Sequence, residues 1–465
     1  MKFELKNKAF RKKTLALMAP VVLQQLITVG INFLDNVMVG AFGETQIAAA
    51  SFGNQYYFLF QFISMGLGSG AIVLASQFWG RKEIEPLRCV AAIGMRLTLA
   101  LCALFTLISV LFPELIIRIF SHEAAVIEVG TPYMRLIGLT FLMSGLASTA
   151  TYLLRCVGKV KIPLIGTTIA FFLNLFFNWV FIFGKLGAPR LEIVGAAIGT
   201  IIARAFEFVF VFGYFILKDE RVGFRLKHFL LVDRDLRKQY FKFGLPVLIS
   251  DTLLGVSLAL IMVIVGHIGE EITAANSIVN SVVQLINIVS MGMAGAAAIV
   301  IGNTIGEGDI PRAKREANTY ILLSLVFGAI MIPILLLLEG PYFSLYEITE
   351  STRTMAHGML LVNCTLFPLQ AMAYITSKGI LRGGGDSRFL LLADSGTVWL
   401  ISLPLGALAG YVWGCGPVMV FFFLFLQHPL KGVICWVRYA TGKWIKEIKV
   451  KKVPQKNEEQ ASSGT

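Results

Sequence analysis

Charge is scarce in this sequence: only 15% of its 465 residues are Asp, Glu, Lys or Arg, where a water-soluble chain carries about 25%. Mean hydropathy is +0.74 and 56% of the residues are hydrophobic. Acids are scarcer than bases, 28 against 41. The six cysteines (Cys89, Cys102, Cys156, Cys364, Cys415 and Cys435) show no C-x-x-C or other metal spacing, so they read as small residues in or at the ends of apolar runs. There is no phosphate-binding P-loop, no H-E-x-x-H, no G-x-S-x-G and no paired DDxxD-like acids. An enzyme and a bound cofactor are therefore not expected, and ATP-driven transport would need another chain. No stretch alternates polar and apolar residues as the strands of a membrane barrel do.

Long apolar runs are abundant instead. About 20 apolar residues span the hydrocarbon core as a helix. Twelve such runs recur, at about 14–40, 47–77, 89–112, 130–154, 163–184, 194–217, 244–268, 274–302, 318–339, 356–381, 389–412 and 416–437. The expected fold is an all-α polytopic membrane protein. Basic residues cluster in the N-terminal tail, at Arg81, Lys82 and Arg88, at Arg155, Lys159 and Lys161, and in the connection 218–242. They return at Arg312, Lys314 and Arg315, at Lys378, Arg382 and Arg388, and from Lys431 to Lys456. The opposite connections hold only Arg118, Lys185, Arg190 and Arg353. This bias predicts a multi-pass plasma-membrane protein with both termini cytoplasmic. The positive charge is thus expected to meet anionic lipid rather than nucleic acid. The first thirteen residues are too charged for a signal peptide, so the first span is expected to be retained.

The chain also repeats itself at an offset of 226. Pro20 meets Pro246, Gly40 meets Gly266, Glu44 meets Glu270, Asn54 meets Asn280, and Ser64-Met65-Gly66 meets Ser290-Met291-Gly292. After one inserted residue, Leu154-Arg155 still meets Leu381-Arg382. The expectation is two pseudo-symmetric six-helix bundles in the same orientation: an N-terminal lobe (1–222), a cytoplasmic connecting loop (223–243), a C-terminal lobe (244–440) and a tail (441–465). The loop is expected to lie on the membrane surface as a short helix, and the tail to be disordered beyond about residue 452. Secondary transporters built from such repeats place substrate between the halves.

Acids inside spans are costly and mark function. Asp35 lies in the outer half of helix 1. Asn174 and Asn178, spaced i, i+4 on helix 5, share one face at that depth, and Thr200 on helix 6 is in reach. Oxygen donors around one carboxylate suit a hard cation, such as sodium, or a proton. Asp251 and Asp394, near the inner ends of helices 7 and 11, form either a structural pair with Arg382 and Arg388 or a second coupling site. Arg204 and Glu207 are expected to pair, and Asp386 to fix a turn. Repeat position suggests a cavity lined by Gln25, Tyr56, Phe60, Gln61, Met65, Asn287 and Met291, where flexible Met and flat rings tolerate many ligands.

Five segments carry a family resemblance: APVVLQQLITVGINFLDNVMVG, LRCVGKVKIPLIGTTIAFFLNLFFNWVFIFG (154–184), EIVGAAIGTIIA (192–203), VSMGMAGAAAIVIGNTIGEGD (289–309) and LRGGGDSRFLLLADSGTVWL (381–400). Together they resemble the multidrug and toxic compound extrusion (MATE) family over about residues 12 to 440. The resemblance implies twelve helices in two lobes and export of cationic or aromatic compounds in exchange for sodium or protons. It also implies that Asp35, Asn174, Asn178 and Thr200 form the cation site and that Pro20 serves helix 1 bending. Two positions depart from the family pattern: Asn178 stands where some members have an acid, and Asp251 is not at the step of a helix 7 Glu found in others. The expected partners are cationic or amphipathic small molecules and the bilayer, with the chain a monomer. The alternatives are a lipid-linked oligosaccharide flippase of related architecture and a non-transporting receptor or channel.

Overall fold

The computed structural model describes residues 2–448 except 345 and 347. The part of the tail expected to be disordered, beyond about residue 452, lies outside the described residues. Among them, twelve helices are long and apolar enough to cross a membrane. They are α1 (Lys8–Val39), α2 (Thr45–Gly80), α3 (Ile84–Leu111), α4 (Ala124–Cys156), α5 (Lys161–Phe183) and α6 (Glu192–Leu217). The second set is α7 (Arg234–Ile268), α8 (Glu270–Gly306), α9 (Ile310–Phe343), α10 (Glu350–Leu381), α11 (Ser387–Val412) and α12 (Pro417–Ala440). Every run expected from the sequence is a helix, and several helices run beyond their apolar stretch. α7 begins at Arg234, inside the segment read as a loop, because Asp233 accepts from the backbone N–H of Asp235 and Leu236 and starts the helix early. Asn7 caps α1 in the same way, so α1 begins at Lys8 rather than near residue 14. The remaining connection holds only a short 3₁₀ turn, Leu226–Leu230.

α1 runs unbroken through Pro20, and α7 through Pro246. Tight turns end helices where glycine permits them: Gly184 closes α5 at φ 68° and Gly43 precedes α2 at φ 103°. Pi-helical turns interrupt α10 at Ile375–Leu381 and α11 at Gly396–Ser402, a feature frequent near functional sites.

One core of buried apolar residues lies at the end of the molecule where the described residues begin and stop, near Phe10 and Ile448. It mixes both sequence halves, from Phe10, Phe78 and Leu154 to Ile305, Tyr320 and Trp444. At the opposite end the halves keep separate cores. One draws only on residues 39–197, around Phe60, Phe105 and Phe141. The other draws only on residues 265–424, around Val279, Phe367 and Leu424. The halves are thus joined at one end and part toward the other. The seam is made by α2 against α7 and by α1 and α2 against α8, with small residues allowing close approach. Gly70 faces Gly244, where a Cβ on Gly70 would lie 2.9 Å from the partner Cα.

The first and last described segments cross this seam. At the N-terminus, the Glu4 backbone N–H donates to Thr319 Oγ1 (2.8 Å) and Arg315 Nε donates to the Glu4 carboxylate (2.6 Å), fixing the arm to α9. At the other terminus, the segment after α12 returns to α2. Gln77 Nε2 donates to the Lys446 carbonyl and Gln77 Oε1 accepts from the Ile448 N–H, each at 3.1 Å, while Lys446 N–H donates to the Gly384 carbonyl at 2.7 Å. Trp444 and Ile448 are buried in this strap.

Candidate functional site

Asp35 meets the partners expected of it. Asn178 Nδ2 donates to Asp35 Oδ1 at 2.5 Å and is 3.3 Å from Asn174 Oδ1, and Asn174 Nδ2 donates to Thr200 Oγ1 at 3.3 Å. The i, i+4 spacing on α5 places both amides on the face toward α1 and α6. Gly199 makes room: a Cβ there would lie 2.2 Å from Asn178 Oδ1, a buried oxygen without a hydrogen-bond donor among the described residues. Asp35, Asn174 and Thr200 line a cavity of about 40 Å³, together with Asn54, Tyr57, Tyr133 and Arg204. That is space for a few waters or one small ion. The oxygens of Asp35, Asn174, Asn178 and Thr200 suit a hard cation, and among the described residues no three His, Cys, Asp or Glu groups gather to hold a softer metal. Asn54, Tyr133 and Arg204 were not singled out for this site by the sequence. The repeat match of Asn54 with Asn280 was its one available signal.

A larger cavity of about 280 Å³ adjoins this site and shares Asn32, Tyr57 and Arg204 with it. Gln25, Gln61, Met65 and Met291 line it as expected. Tyr56 and Phe60 do not: Phe60 is fully buried, 4.8 Å from Phe141 between ring centroids, and Tyr56 packs on Phe105 and Phe141. The repeat gives a residue's depth, but its rotation about the helix follows from the aromatic packing inside the first half. Asn287 faces α10, where Gln370 Nε2 donates to it at 3.5 Å.

One polar path runs along the cavity wall. Arg204 pairs with Glu207 at 2.7 Å, Thr167 donates to Glu207 (2.7 Å), Gln24 donates to Thr167 (2.8 Å), and Arg155 donates to Gln24 Oε1 (2.5 Å).

Asp251 and Asp394 are brought together by a residue the sequence reading placed elsewhere. Lys378 Nζ donates to Asp251 Oδ1 at 2.7 Å and to Asp394 Oδ2 at 2.6 Å. Arg382 Nη2 donates to Asp251, Ser69 and Ser250 each donate to one of the two carboxylates, and Lys431 lies 3.4 Å from Asp394. Lys378 and Lys431 had been counted among the loop charges; both lie inside spans, on α10 and α12. Arg388 takes no part and lines a separate cavity near Asp386, and Asp386 is held by Arg438 at 2.6 Å.

Comparison with known proteins decides the family. The MatE family model matches twice, at residues 20–180 and 246–408, two segments that begin 226 residues apart. The chain belongs to the MatE family. Among curated relatives, the probable multidrug resistance protein YoeA of Bacillus subtilis is 25% identical over 391 residues, 83% of this chain and 84% of YoeA. The multidrug resistance protein MdtK of Yersinia pseudotuberculosis is 24% identical, covering 86% and 87%. Among solved structures, an outward-facing MATE transporter of the MOP superfamily superposes with TM-score 0.85 at 17% identity, covering 94% of this chain and 97% of that one. A MOP-superfamily transporter from Pyrococcus furiosus, described as having a binding pocket of reverse polarity, gives 0.84 at 17% identity, covering 93% and 96%. This MatE protein is therefore a multi-pass membrane transporter and not an enzyme.

Proposed function

We propose that this MatE protein is a secondary antiporter that exports amphipathic small molecules, with Asp35 as the residue that binds the coupling sodium ion or proton. The observation that carries this reading is the hydrogen-bonded chain from Asp35 through Asn178 and Asn174 to Thr200 beside a small polar cavity. A carboxylate at this depth costs roughly 2.5–3.5 kcal/mol on insertion scales, and a bound cation or proton offsets that cost. Ion binding then favours one arrangement of the halves and cargo the other, which couples the two movements. One charge moving down the membrane potential supplies roughly 2.3 kcal/mol per 100 mV.

The basic bias of the terminal end sets the orientation in this reading: termini cytoplasmic, and the parted end of the halves outside the cell. The protein acts as a monomer in the plasma membrane in this reading, since one chain supplies the lining of the cavity. The charge of Asp251 and Asp394 is answered by Lys378 and Arg382 and so adds no preference for cationic cargo. The test is transport in proteoliposomes under separately imposed sodium and proton gradients, wild type beside Asp35→Asn. Loss of gradient-driven transport in the variant supports the reading, and unchanged transport under both gradients removes Asp35 from it.

A further inference from the structure

Arg155, on α4, stands where a cavity lined almost wholly by the first half joins one lined by both halves. It lines the 280 Å³ cavity and an adjoining one of about 80 Å³, and the two share Gln25, Met65, Tyr152 and Met291 as wall. Its guanidinium donates to Gln24 Oε1 at 2.5 Å and lies 5.6 Å from the Tyr152 ring centroid. Among the described residues it has no carboxylate within ion-pair distance, whereas Arg204 in the same cavity has Glu207 at 2.7 Å.

The repeat explains the gap. Arg382 is the counterpart of Arg155, and Asp251 is the counterpart of Gln25. In the second half, Arg382 Nη2 donates to both Asp251 oxygens, at 2.8 and 3.1 Å. In the first half the acid's place is taken by the neutral amide of Gln25. The surrounding charge does not make up the difference: Lys378 and Arg382 line the smaller cavity with Arg155, and with Lys431 they pair with Asp251 and Asp394, three cations against two acids. A guanidinium enclosed between helices without a counter-charge is costly. A carboxylate or phosphate supplied by a ligand matches its fork and answers its charge. Phe58, Phe62, Met65 and Met291 give the same cavity an apolar wall for a hydrophobic body.

We propose that the central cavity takes an amphiphile with an anionic oxyacid headgroup, carboxylate or phosphate, bound by Arg155. The assignment rests on the export reading above and names the charge of the cargo. Gln25, Gln24 and Tyr152 hold the headgroup region, and Arg155 supplies its selectivity.

The test uses three probes with one aromatic body, 1-pyrenebutyrate, 1-pyrenebutyl phosphate and 1-pyrenebutylammonium, and the full-length protein in nanodiscs. Fluorescence anisotropy reads binding. The wild type is expected to bind at least one anion about tenfold more tightly than the ammonium probe. Arg155→Gln is expected to lose about tenfold in anion affinity while the ammonium probe changes by less than about twofold, and Arg155→Lys to keep part of the anion affinity. The stronger of the two anions separates carboxylate from phosphate recognition. The proposal is overturned if neither anion binds, if the wild type prefers the ammonium probe, if Arg155→Gln leaves anion affinity unchanged, or if it loses all probes together. Transport separates this result from the antiport reading. Asp35-dependent transport of ethidium without anion binding leaves the antiporter standing and removes the anion site. Arg155-dependent anion binding without gradient-driven transport does the reverse.

Discussion

Gly80 at the end of α2 and Asn303 on α8 meet backbone to backbone, so that a Cβ on Gly80 would lie 2.0 Å from the Asn303 carbonyl oxygen. The reciprocal contact joins Gly306 and Gln77, where a Cβ would lie 2.1 Å from the Gln77 carbonyl. An offset of 226 carries one pair onto the other, 77 to 303 and 80 to 306. The seam at the terminal end therefore closes through two symmetric glycine contacts. Substituting either glycine by alanine forces the helices apart and should cost this closed seam at least about 1–3 kcal/mol. A cysteine at Ser76, buried beside Gly302, reports the opening: its labelling by a soluble maleimide should rise in Gly306→Ala, and equal labelling would contradict the contact's role.

The cluster around Lys378 makes a stability prediction. Lys378→Met leaves Asp251 and Asp394 buried without the cation that bonds both of them. The loss should be about 3–5 kcal/mol, read as a lower thermal midpoint in detergent. Adding Asp394→Asn should recover part of it, because without Lys378 the Asp394 carboxylate keeps as its cation only Lys431, at the longer distance of 3.4 Å.

Sequence reasoning reached the Asp35 site and missed much of this cluster, for a physical reason. The spacing of Asn174 and Asn178 on one helix determines both their face and their depth, so their meeting with Asp35 was readable without coordinates. Lys378 and Lys431 sit at the ends of apolar runs, where a basic residue looks like part of a loop. Only the packing of α10 and α12 against α7 and α11 reveals that their ammonium groups turn inward. Tyr56 and Phe60 failed as cavity residues because a repeat transfers depth along a helix and leaves rotation open. The unanswered charge of Arg155 becomes visible only when each Arg is placed beside its own partner.

The C-terminal strap makes a third prediction. Trp444 is fully buried against Gly384 and Tyr439. Trp444→Ala should weaken the strap's attachment by about 3–5 kcal/mol. Hydrogen exchange of residues 441–448 should accelerate in the variant, while exchange within the α3 core stays as in wild type. Unchanged exchange in the strap would show that its backbone bonds to Gln77 and Gly384 suffice.

The N-terminal arm should respond to pH. Hydrogen bonding from Arg315, aided by Asn7, holds the Glu4 carboxyl below its ordinary value. A carboxyl lowered in the folded state contributes attachment above its unfolded value and loses it as pH falls through the folded one. The arm should therefore stay docked at neutral pH and loosen only below about pH 4. Exchange of residues 2–7 followed across that range checks this, and Glu4→Gln should show loosened exchange already at neutral pH.

The central claim is that Asp35 couples ion movement to export. Proteoliposomes loaded with ethidium or 1-pyrenebutyrate, energised by a sodium or a proton gradient in turn, test it with wild type and Asp35→Asn side by side. The account predicts that one gradient drives export of at least one cargo in the wild type and that the variant loses roughly 5- to 150-fold of that acceleration, while still binding cargo. Gradient-driven export at the wild-type rate in Asp35→Asn would contradict it.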